Sequence, residues 1–292
     1  MIYLNLHRKK EKNLKDKIKQ EIRTLFKNAT IGEIAEIRNK AGVFVGRIVI
    51  NNKNFIIKHF ENSNDAVEIN YYKLLKSLEI PTPKIFNNTE NLMVMEDIDE
   101  NENYHLATTE DLKDENTMRA LARWYKNLHK KGEKIDVSEF YSELDFINKK
   151  DLEGLRPILQ DCENLDFMLE NLDKINNKIN SLALTLTYND FAEENMIAGN
   201  PTMMFDFNKM GRGLAYFDIQ NVCFMLEENV KKAFIEEYGE VREEEKIAYD
   251  VLVPFITLVM ANKMPTFPNW AKPYLIKVND SSLKEKLLRF LK

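Results

Sequence analysis

Residues 187–195 read Thr187-Tyr-Asn-Asp-Phe-Ala-Glu-Glu-Asn195, and residues 203–207 read Met203-Met-Phe-Asp-Phe207. A carboxylate, an amide five residues later and a second carboxylate at the end of an apolar strand form the set of groups that phosphoryl transfer requires. Asp190 can orient an attacking hydroxyl and accept its proton, while Asn195 and Asp206 can hold Mg²⁺ against a triphosphate. This stretch therefore predicts a catalytic loop.

A short Asp-Asn pattern occurs often by chance, so the rest of the sequence must support it. Four upstream segments do so, in the expected order. Asn39–Ile50 is a small-residue turn that runs into a β-branched stretch, and its glycines, Gly42 and Gly46, let backbone N–H groups approach phosphate oxygens. Lys58 interrupts the apolar strand Phe55–Phe60, and Glu68 begins an amphipathic helix ten residues later. A strand lysine facing a helix glutamate is the ion pair that aims an ammonium group at the α- and β-phosphates.

The fourth segment, Asn91–Ile98, is an apolar strand that turns acidic at Glu96. It resembles the hinge of kinases, with Met95 at the back of the pocket and the backbone of Glu96 and Ile98 offered to adenine. Together, the segments resemble the Asp-x-x-x-x-Asn and Asp-Phe-Gly motifs of the protein-kinase-like fold. They are most similar to the aminoglycoside phosphotransferase and choline kinase superfamily.

The resemblance extends from about Ile34 to Phe224 and implies an α+β, protein-kinase-like two-lobe fold. An antiparallel β-sheet N-lobe with one helix and a mainly helical C-lobe are expected. The predicted ranges are 1–30 for an N-terminal helix packed on the N-lobe, 31–98 for the N-lobe and 99–292 for the C-lobe with the catalytic loop. The resemblance implies ATP and Mg²⁺ as cofactors.

Two departures from the family pattern concern the catalytic loop. Tyr188 stands where relatives have His beside the catalytic aspartate, and Asn208 stands where a Gly would follow Phe207. We expect Tyr188 to be a scaffold residue and Asp218 to tether the loop backbone. The departures keep a second hypothesis open, a non-catalytic nucleotide-binding protein. A protein kinase is a third, disfavoured because no activation segment ending in Ala-Pro-Glu separates Asp206 from Asp218.

Composition predicts a globular, cytoplasmic enzyme. The 292 residues are 44% hydrophobic and 30% charged. A net charge of −5 argues against nucleic acid as a partner. The opening residues lack the order of a signal peptide, and the apolar run Val251–Ala261 is too short for a membrane span and contains Pro254. Cys162 and Cys223 predict neither a disulfide framework nor a metal site.

The acceptor is predicted to be a small molecule with a hydroxyl group, such as an aminoglycoside, a choline-like amine or a sugar. A cationic acceptor could meet acidic side chains of the helical lobe or aromatic ones. The acidic candidates are Glu193, Glu194, Glu227 and Glu228, and the aromatic candidates are Tyr216, Phe217, Trp270 and Tyr274. Exposed acidic residues are equally common on any soluble acidic protein, so both interpretations stay open.

Overall fold

The computed structural model describes residues 2–292, with side chains from residue 13 onward. Through residue 132 the elements are α1 (Ile2–Leu25), β1 (Ile31–Lys40), β2 (Val43–Ile50), β3 (Lys53–Phe60), α2 (Val67–Ser77), β4 (Ile85–Asn88), β5 (Leu92–Glu96), β6 (Tyr104–Leu106) and α3 (Glu115–Gly132). Then follow α4 (Lys149–Glu153), α5 (Glu163–Glu170), α6 (Leu172–Ser181), β7 (Thr185–Thr187), β8 (Met196–Gly199), β9 (Met203–Met204), β10 (Gly211–Gly213), α7 (Ala215–Phe224), α8 (Glu228–Tyr238), α9 (Glu243–Asn262), α10 (Lys272–Asn279) and α11 (Ser281–Phe290).

These elements form two compact units. The first runs to Trp124 and also takes in Ala192–Asn208, and the second comprises Tyr125–Phe191 and Lys209–Lys292. The first unit contains an antiparallel sheet with one following helix, and the second is mainly helical. The predicted α+β class is confirmed, whereas the division of the sequence at residues 30 and 98 stays a prediction.

The sheet of the first unit has the strand order β1-β2-β3-β5-β4. Two-residue turns fix its first two registers, because Ala41 and Gly42 have φ of 53° and 80°, and Asn51 and Asn52 have φ of 49° and 63°. Positive φ at both turn residues gives the type I′ hairpin that matches the twist of the flanking strands. The turns therefore set which face carries each side chain of β2 and β3, whereas β1 shifts register between Glu36 and Arg38 and again between Ile31 and Ile34.

Helix α1 covers one face of this sheet. Ile18 and Ile22 are fully buried in one cluster with sheet residues such as Phe44, Ile48 and Ile57. The helix end is also held by Asn87, whose Nδ2 donates to the carbonyl oxygen of Leu25 at 3.2 Å. The sequence from His7 to Lys19 is rich in basic residues, and only part of it lies within the described side chains, which begin at residue 13.

The hairpin β8–β9 belongs to the first unit because β8 pairs with β6. Leu106 lies opposite Ile197, and Tyr104 lies opposite Gly199. A Cβ atom at Gly199 would lie 2.4 Å from the carbonyl oxygen of Asn103, so only glycine permits this pairing. The pairing fixes Asn195 and Asp206, which flank the hairpin, in the unit that also contains Lys58.

The second unit is built around a helical core. Its buried cluster draws mainly on α5, α6, α9 and α11, including Leu165, Ile175, Phe255 and Leu287. Strands β7 and β10 form a two-stranded antiparallel pair. The end of α3 approaches β7 closely, since a Cβ atom at Gly132 would lie 2.3 Å from Thr185 Oγ1. This close packing fixes the strand from which the predicted catalytic loop begins.

Within residues 2–292, no helix is long and apolar enough to cross a membrane. The run Val251–Ala261 lies inside α9, where most of its residues are buried in the helical core of the second unit. Its apolar character is therefore explained by packing.

We predict that α1 stabilises the sheet of the first unit. Ile22→Ala should lower the free energy of unfolding by about 2–4 kcal/mol, because the lost burial and the cavity outweigh the gain in helix propensity. Urea denaturation followed by circular dichroism measures this change. Ile37→Ala, at a side chain that is 56% exposed, is the matched control and should change stability by less than about 0.5 kcal/mol. Equal effects of the two substitutions would contradict the prediction.

Candidate active site

Lys58 lies on β3 in the middle of the five-stranded sheet and bridges two carboxylates. Its Nζ is 2.6 Å from Glu68 Oε2 and 2.8 Å from Asp206 Oδ1. Glu68 comes from the first turn of α2, and Asp206 follows β9. The lysine side chain is 11% exposed and the glutamate side chain 1%. Two consecutive elements, β3 and α2, and the distant β8–β9 hairpin therefore meet at one buried ammonium group.

Burial and the charges of neighbouring groups shift the pKa values of Glu68 and Lys58 in opposite directions. Burial raises the pKa of Glu68 to about 7, against the attraction of Lys58. For Lys58, burial alone would lower the pKa, but the charges of Glu68 and Asp206 outweigh it and raise the pKa. Lys58 is therefore positively charged at neutral pH.

Asp206 is held in a left-handed conformation at the end of the β8–β9 hairpin, with φ of 60°. Aspartate tolerates this region better than most residues, and such strain is common at functional sites. The next side chain, Phe207, is fully buried, with its ring 4.9 Å from that of Tyr72 and 6.4 Å from that of Trp124. The backbone N–H of Phe205 donates to the carbonyl oxygen of Asn195 at 3.0 Å. These contacts fix Asn195 and Asp206 relative to each other.

A cavity of about 460 Å³ opens beside this cluster, and all its lining residues belong to the first unit. This volume lies within the usual range for small-molecule sites. Its polar lining includes Lys58, Glu68, Glu194, Asn195 and Asp206, and its apolar lining includes Val45, Ile56, Met95, Ile98, Leu106 and Phe205. The cavity thus combines charged groups with an apolar surface of the kind that a flat ring system would contact.

The predicted hinge residues also line the cavity. The carboxylate of Glu96 accepts hydrogen bonds from the Lys84 amide and the Tyr104 hydroxyl, both at 2.6 Å. The Glu96 amide donates to the carbonyl oxygen of Lys84, and the carbonyl oxygen of Ile98 accepts from the Asn101 amide. Their other backbone groups, the Glu96 carbonyl and the Ile98 amide, remain as candidates to contact a base.

Arg47, on β2, is a cavity residue that the sequence did not indicate. Its Nε and Nη2 both donate to the carboxylate of Asp97, which is almost fully buried, and Nη2 also donates to Asp99 at 2.5 Å. These hydrogen bonds raise the pKa of Arg47. An arginine within a β-branched strand, together with the acidic run after Met95, was the available signal.

The predicted glycine loop, unlike the other residues predicted to bind nucleotide, does not contribute its glycines to the lining of the cavity. Gly42 lies in the β1–β2 turn, and neither Gly42 nor Gly46 is among the residues that line the cavity. A Cβ atom at Gly46 would lie 2.9 Å from Ile34 Cγ2. The packing of β1 against β2 accounts for this glycine, and contact of either glycine with phosphate stays a prediction.

In the second unit, Asp218 organises the loop that carries Tyr188, Asn189 and Asp190. Its carboxylate accepts the backbone N–H groups of Tyr188 and Asn189 at 2.7 and 2.8 Å. His129 contacts the same carboxylate through Nε2 at 3.1 Å and the Tyr238 hydroxyl through Nδ1 at 2.9 Å. All of these groups are buried or half-buried, so the loop that ends at Asp190 is held by internal hydrogen bonds.

Tyr188 occupies an interior position in this loop. Its side chain is fully buried, and its ring lies 6.4 Å from that of Tyr125 in an edge-on arrangement. Asn189 adopts a φ of 66°, and its Nδ2 donates to the Lys209 carbonyl at 3.1 Å. This geometry is compatible with a scaffold role for Tyr188, which stays a prediction.

Glu143 is, after Arg47, the second residue of interest that the sequence did not indicate. It begins a short 3-10 helix, Glu143–Phe146, next to the segment whose Tyr141 carbonyl accepts the Arg212 amide at 2.7 Å. Burial, then the charges of Asp218 and Asp190, raises the pKa of Glu143 to about 7, with Lys209 opposing the shift. No motif marks this residue, because only folding brings the segment before α4 to β10.

The structure thus brings together Lys58, Glu68, Asn195 and Asp206 in the first unit. Tyr188 and Asp218 come together in the second unit, to which Asp190 also belongs. Among the described residues, no group of three or more His, Cys, Asp and Glu side chains is arranged to hold a metal ion. The predicted Mg²⁺ ligands, the carboxylate of Asp206 and the amide of Asn195, form a smaller set than such a group of three.

Comparison with known families agrees with this arrangement. The model of the phosphotransferase enzyme family that includes the aminoglycoside phosphotransferases matches residues 51–254, more than half of the chain. The chain belongs to this family. The predicted family is therefore confirmed, and it is a family of phosphotransferases. A comparison with curated proteins gives no match.

Solved structures of low sequence identity share the fold. A choline/ethanolamine kinase family protein from Mesorhizobium loti is 14% identical, with a TM-score of 0.61, and the match covers 89% of this chain and 92% of the other. An ethanolamine kinase from Plasmodium vivax is 14% identical, with a TM-score of 0.54 and coverage of 90% and 87%. A macrolide 2'-phosphotransferase from Brachybacterium faecium is 9% identical, with a TM-score of 0.57 and coverage of 89% and 96%. The predicted protein-kinase-like fold is thereby confirmed.

The pKa of Glu143 generates a prediction about stability. A carboxyl whose pKa is higher in the folded than in the unfolded state stabilises the protein at low pH, and this contribution is lost as pH rises through about 7. Glu143→Gln should therefore match the wild type only near or below pH 4, where the carboxyl is protonated in both states, and exceed its unfolding free energy near pH 8 by up to about 3 kcal/mol.

Urea denaturation at several pH values measures this difference. Glu68 titrates in both proteins, so its contribution cancels in the comparison. Glu139→Gln removes an exposed carboxylate four residues away and is the control, expected to run parallel to the wild type. A stability difference for Glu143→Gln that is independent of pH would show that its pKa is not raised.

Proposed function

We propose that the protein is an ATP- and Mg²⁺-dependent kinase that transfers a phosphoryl group to a hydroxyl of a small molecule. The observation that carries the proposal is the charged Lys58, held between Glu68 and Asp206 in the wall of a 460 Å³ cavity. Lys58 would contact the α- and β-phosphates, and Glu68 would orient it. The Glu96 carbonyl and the Ile98 amide would contact adenine.

The ligand set available for a metal fits Mg²⁺. A carboxylate oxygen of Asp206 and the amide oxygen of Asn195 are hard donors of the kind this ion prefers, with substrate phosphates completing its shell. Lys58, Glu68 and Asp206 together carry one positive and two negative charges when ionised, so the cluster favours an additional cation. When bound, Mg²⁺ would neutralise the charge that develops on the phosphates.

The residues of the second unit would act on the acceptor. Asp190 would accept a hydrogen bond from the acceptor hydroxyl, orient it and take its proton as the new bond to phosphorus forms. Tyr188 and Asp218 would hold the loop, since the Asp218 carboxylate already binds two of its backbone amides. This division of roles assigns nucleotide binding to the first unit and proton transfer to the second.

The acceptor is proposed to be a small molecule because structures with the same fold include choline/ethanolamine kinase family proteins and a macrolide phosphotransferase. The aromatic candidates are largely used by the fold itself. Tyr216 and Phe217 both contact Tyr249 edge-on, and Tyr274 carries Lys277 above its ring. Trp270 is 54% exposed, so Trp270 and the acidic side chains are the better candidates to contact a cationic acceptor.

Nucleotide affinity should depend on Lys58. Lys58→Met removes charge-assisted contacts to phosphate and should weaken binding of Mg·ATP by about 10- to 100-fold, measured by calorimetry. Lys53→Met removes an exposed lysine from the same strand and should leave the affinity unchanged. Because Lys58→Met also leaves Glu68 buried without its partner, a thermal melt must show that the variant is folded. Unchanged affinity in a folded variant would reject this role.

Turnover, in contrast, should depend on Asp190. Asp190→Asn is nearly isosteric but cannot accept the proton, so kcat should fall by about 100-fold or more while the Kd for ATP stays within about twofold. The assay follows ADP formation with a panel of hydroxylated amines and sugars, and Asp136→Asn, at an exposed aspartate, is the control.

Two outcomes would change the proposal. Wild-type turnover by Asp190→Asn would show that this carboxylate is not the base. Wild-type protein that binds Mg·ATP but neither phosphorylates an acceptor nor hydrolyses ATP would favour the alternative, a non-catalytic nucleotide-binding protein.

A further inference from the structure

Arg47 occupies the same face of the sheet as the phosphate-binding candidate. In the β2–β3 register, Val45 lies opposite Lys58 and Arg47 lies opposite Ile56. All four side chains line the cavity. Arg47 and Ile56 are each two residues along their strand from Val45 and Lys58, a distance of roughly 7 Å. A nucleotide whose phosphates reach Lys58 therefore has space for its sugar between Lys58 and the pair formed by Arg47 and Ile56.

This pair lies beside the hinge. Asp97, Ile98 and Asp99 line the cavity together with Arg47 and the apolar side chain of Met95. The hinge and Arg47 are joined directly, since Asp97 accepts two hydrogen bonds from the guanidinium group and Asp99 accepts a third. The guanidinium therefore lies next to the backbone groups that are the candidates to contact a base.

The two carboxylates fix the orientation of Arg47 without using all of its donors. Nε and Nη2 supply the three hydrogen bonds, and Nη1 has no partner among the side chains that the structure describes. A planar guanidinium held in this way offers a flat face for stacking on an aromatic ring and two N–H groups for ring acceptors. Because the carboxylates already immobilise the side chain, little rotamer entropy remains to be lost on binding.

We propose that Arg47 contacts the nucleobase and gives the site a preference for purine over pyrimidine nucleotides. Both purines carry the N7 acceptor and a two-ring surface, whereas a pyrimidine has one ring and lacks that acceptor. The proposal rests on the proposed function, since it requires that this cavity binds a nucleoside triphosphate. It deepens that function by assigning a base-contacting residue outside the hinge backbone.

The test compares Kd values for ATP, GTP and CTP, each with Mg²⁺, by calorimetry on the full chain. Wild type should bind both purine nucleotides more tightly than CTP. Arg47→Met should weaken ATP and GTP by about tenfold and CTP by less than about threefold, which narrows the purine preference. Arg242→Met removes another arginine held by two carboxylates, Glu133 and Glu245, and should leave all three affinities unchanged.

Two further variants separate base contact from a purely structural link between β2 and the hinge. Arg47→Lys keeps the charge and can still pair with Asp97 but lacks the planar fork, so it should fail to restore the purine preference. Arg47→Met combined with Asp97→Asn removes both charges of the pair, of which Asp97 is the buried one. The double variant keeps the protein testable if the single variant unfolds, because a buried carboxylate without its partner is strongly destabilising.

The outcomes are distinct. A wild type without purine preference, an equal loss for all three nucleotides, or restoration by Arg47→Lys would each overturn the proposal while leaving nucleotide binding intact. A wild type that binds none of the three nucleotides would overturn the proposed function and this inference together.

Discussion

The buried ion pair between Lys58 and Glu68, extended to Asp206, is the interaction on which the rest of the candidate site depends. Removing water from these charges is costly, and their mutual attraction compensates only if the geometry is good. Loss of one partner from such a pair typically costs about 3–5 kcal/mol. The sheet, helix α2 and the β8–β9 hairpin are therefore held in one arrangement, in which a positive charge is fixed before any ligand binds.

The same principle operates in the second unit with a different balance of charges. Asp218 is buried, and its carboxylate accepts two backbone amides and contacts His129, so its hydrogen-bonding capacity is used to fix the loop that ends at Asp190. For Glu143, burial together with nearby carboxylates raises the pKa to about 7. Burial and nearby negative charge thus favour the neutral form of Glu143.

Several parts of the fold were predictable because their signals are local. The turns at Ala41-Gly42 and Asn51-Asn52 mark the hairpins of the sheet, and the periodicity after Asp65 marks α2. Strand β6 was not predicted, because three residues are too few to give a periodic signal. Its three residues form a strand only by pairing with β8, more than ninety residues later. Arg47 and Glu143 were missed for the same reason, as their partners are distant in sequence.

The sequence by itself determined the family, the α+β class and the identity of the polar groups around the β8–β9 hairpin, because spacing within a strand, turn or helix is fixed by local geometry. The tertiary structure alone decided that Asn195 and Asp206 share a unit with Lys58, that Gly46 packs against β1, and that Asp97 binds Arg47. These outcomes depend on sheet register and on the burial of charge. Sheet register and the burial of charge are decided only when segments distant in the chain pack together. The arrangement that forms is the one in which buried polar groups have hydrogen-bond or ion-pair partners and apolar side chains face the core.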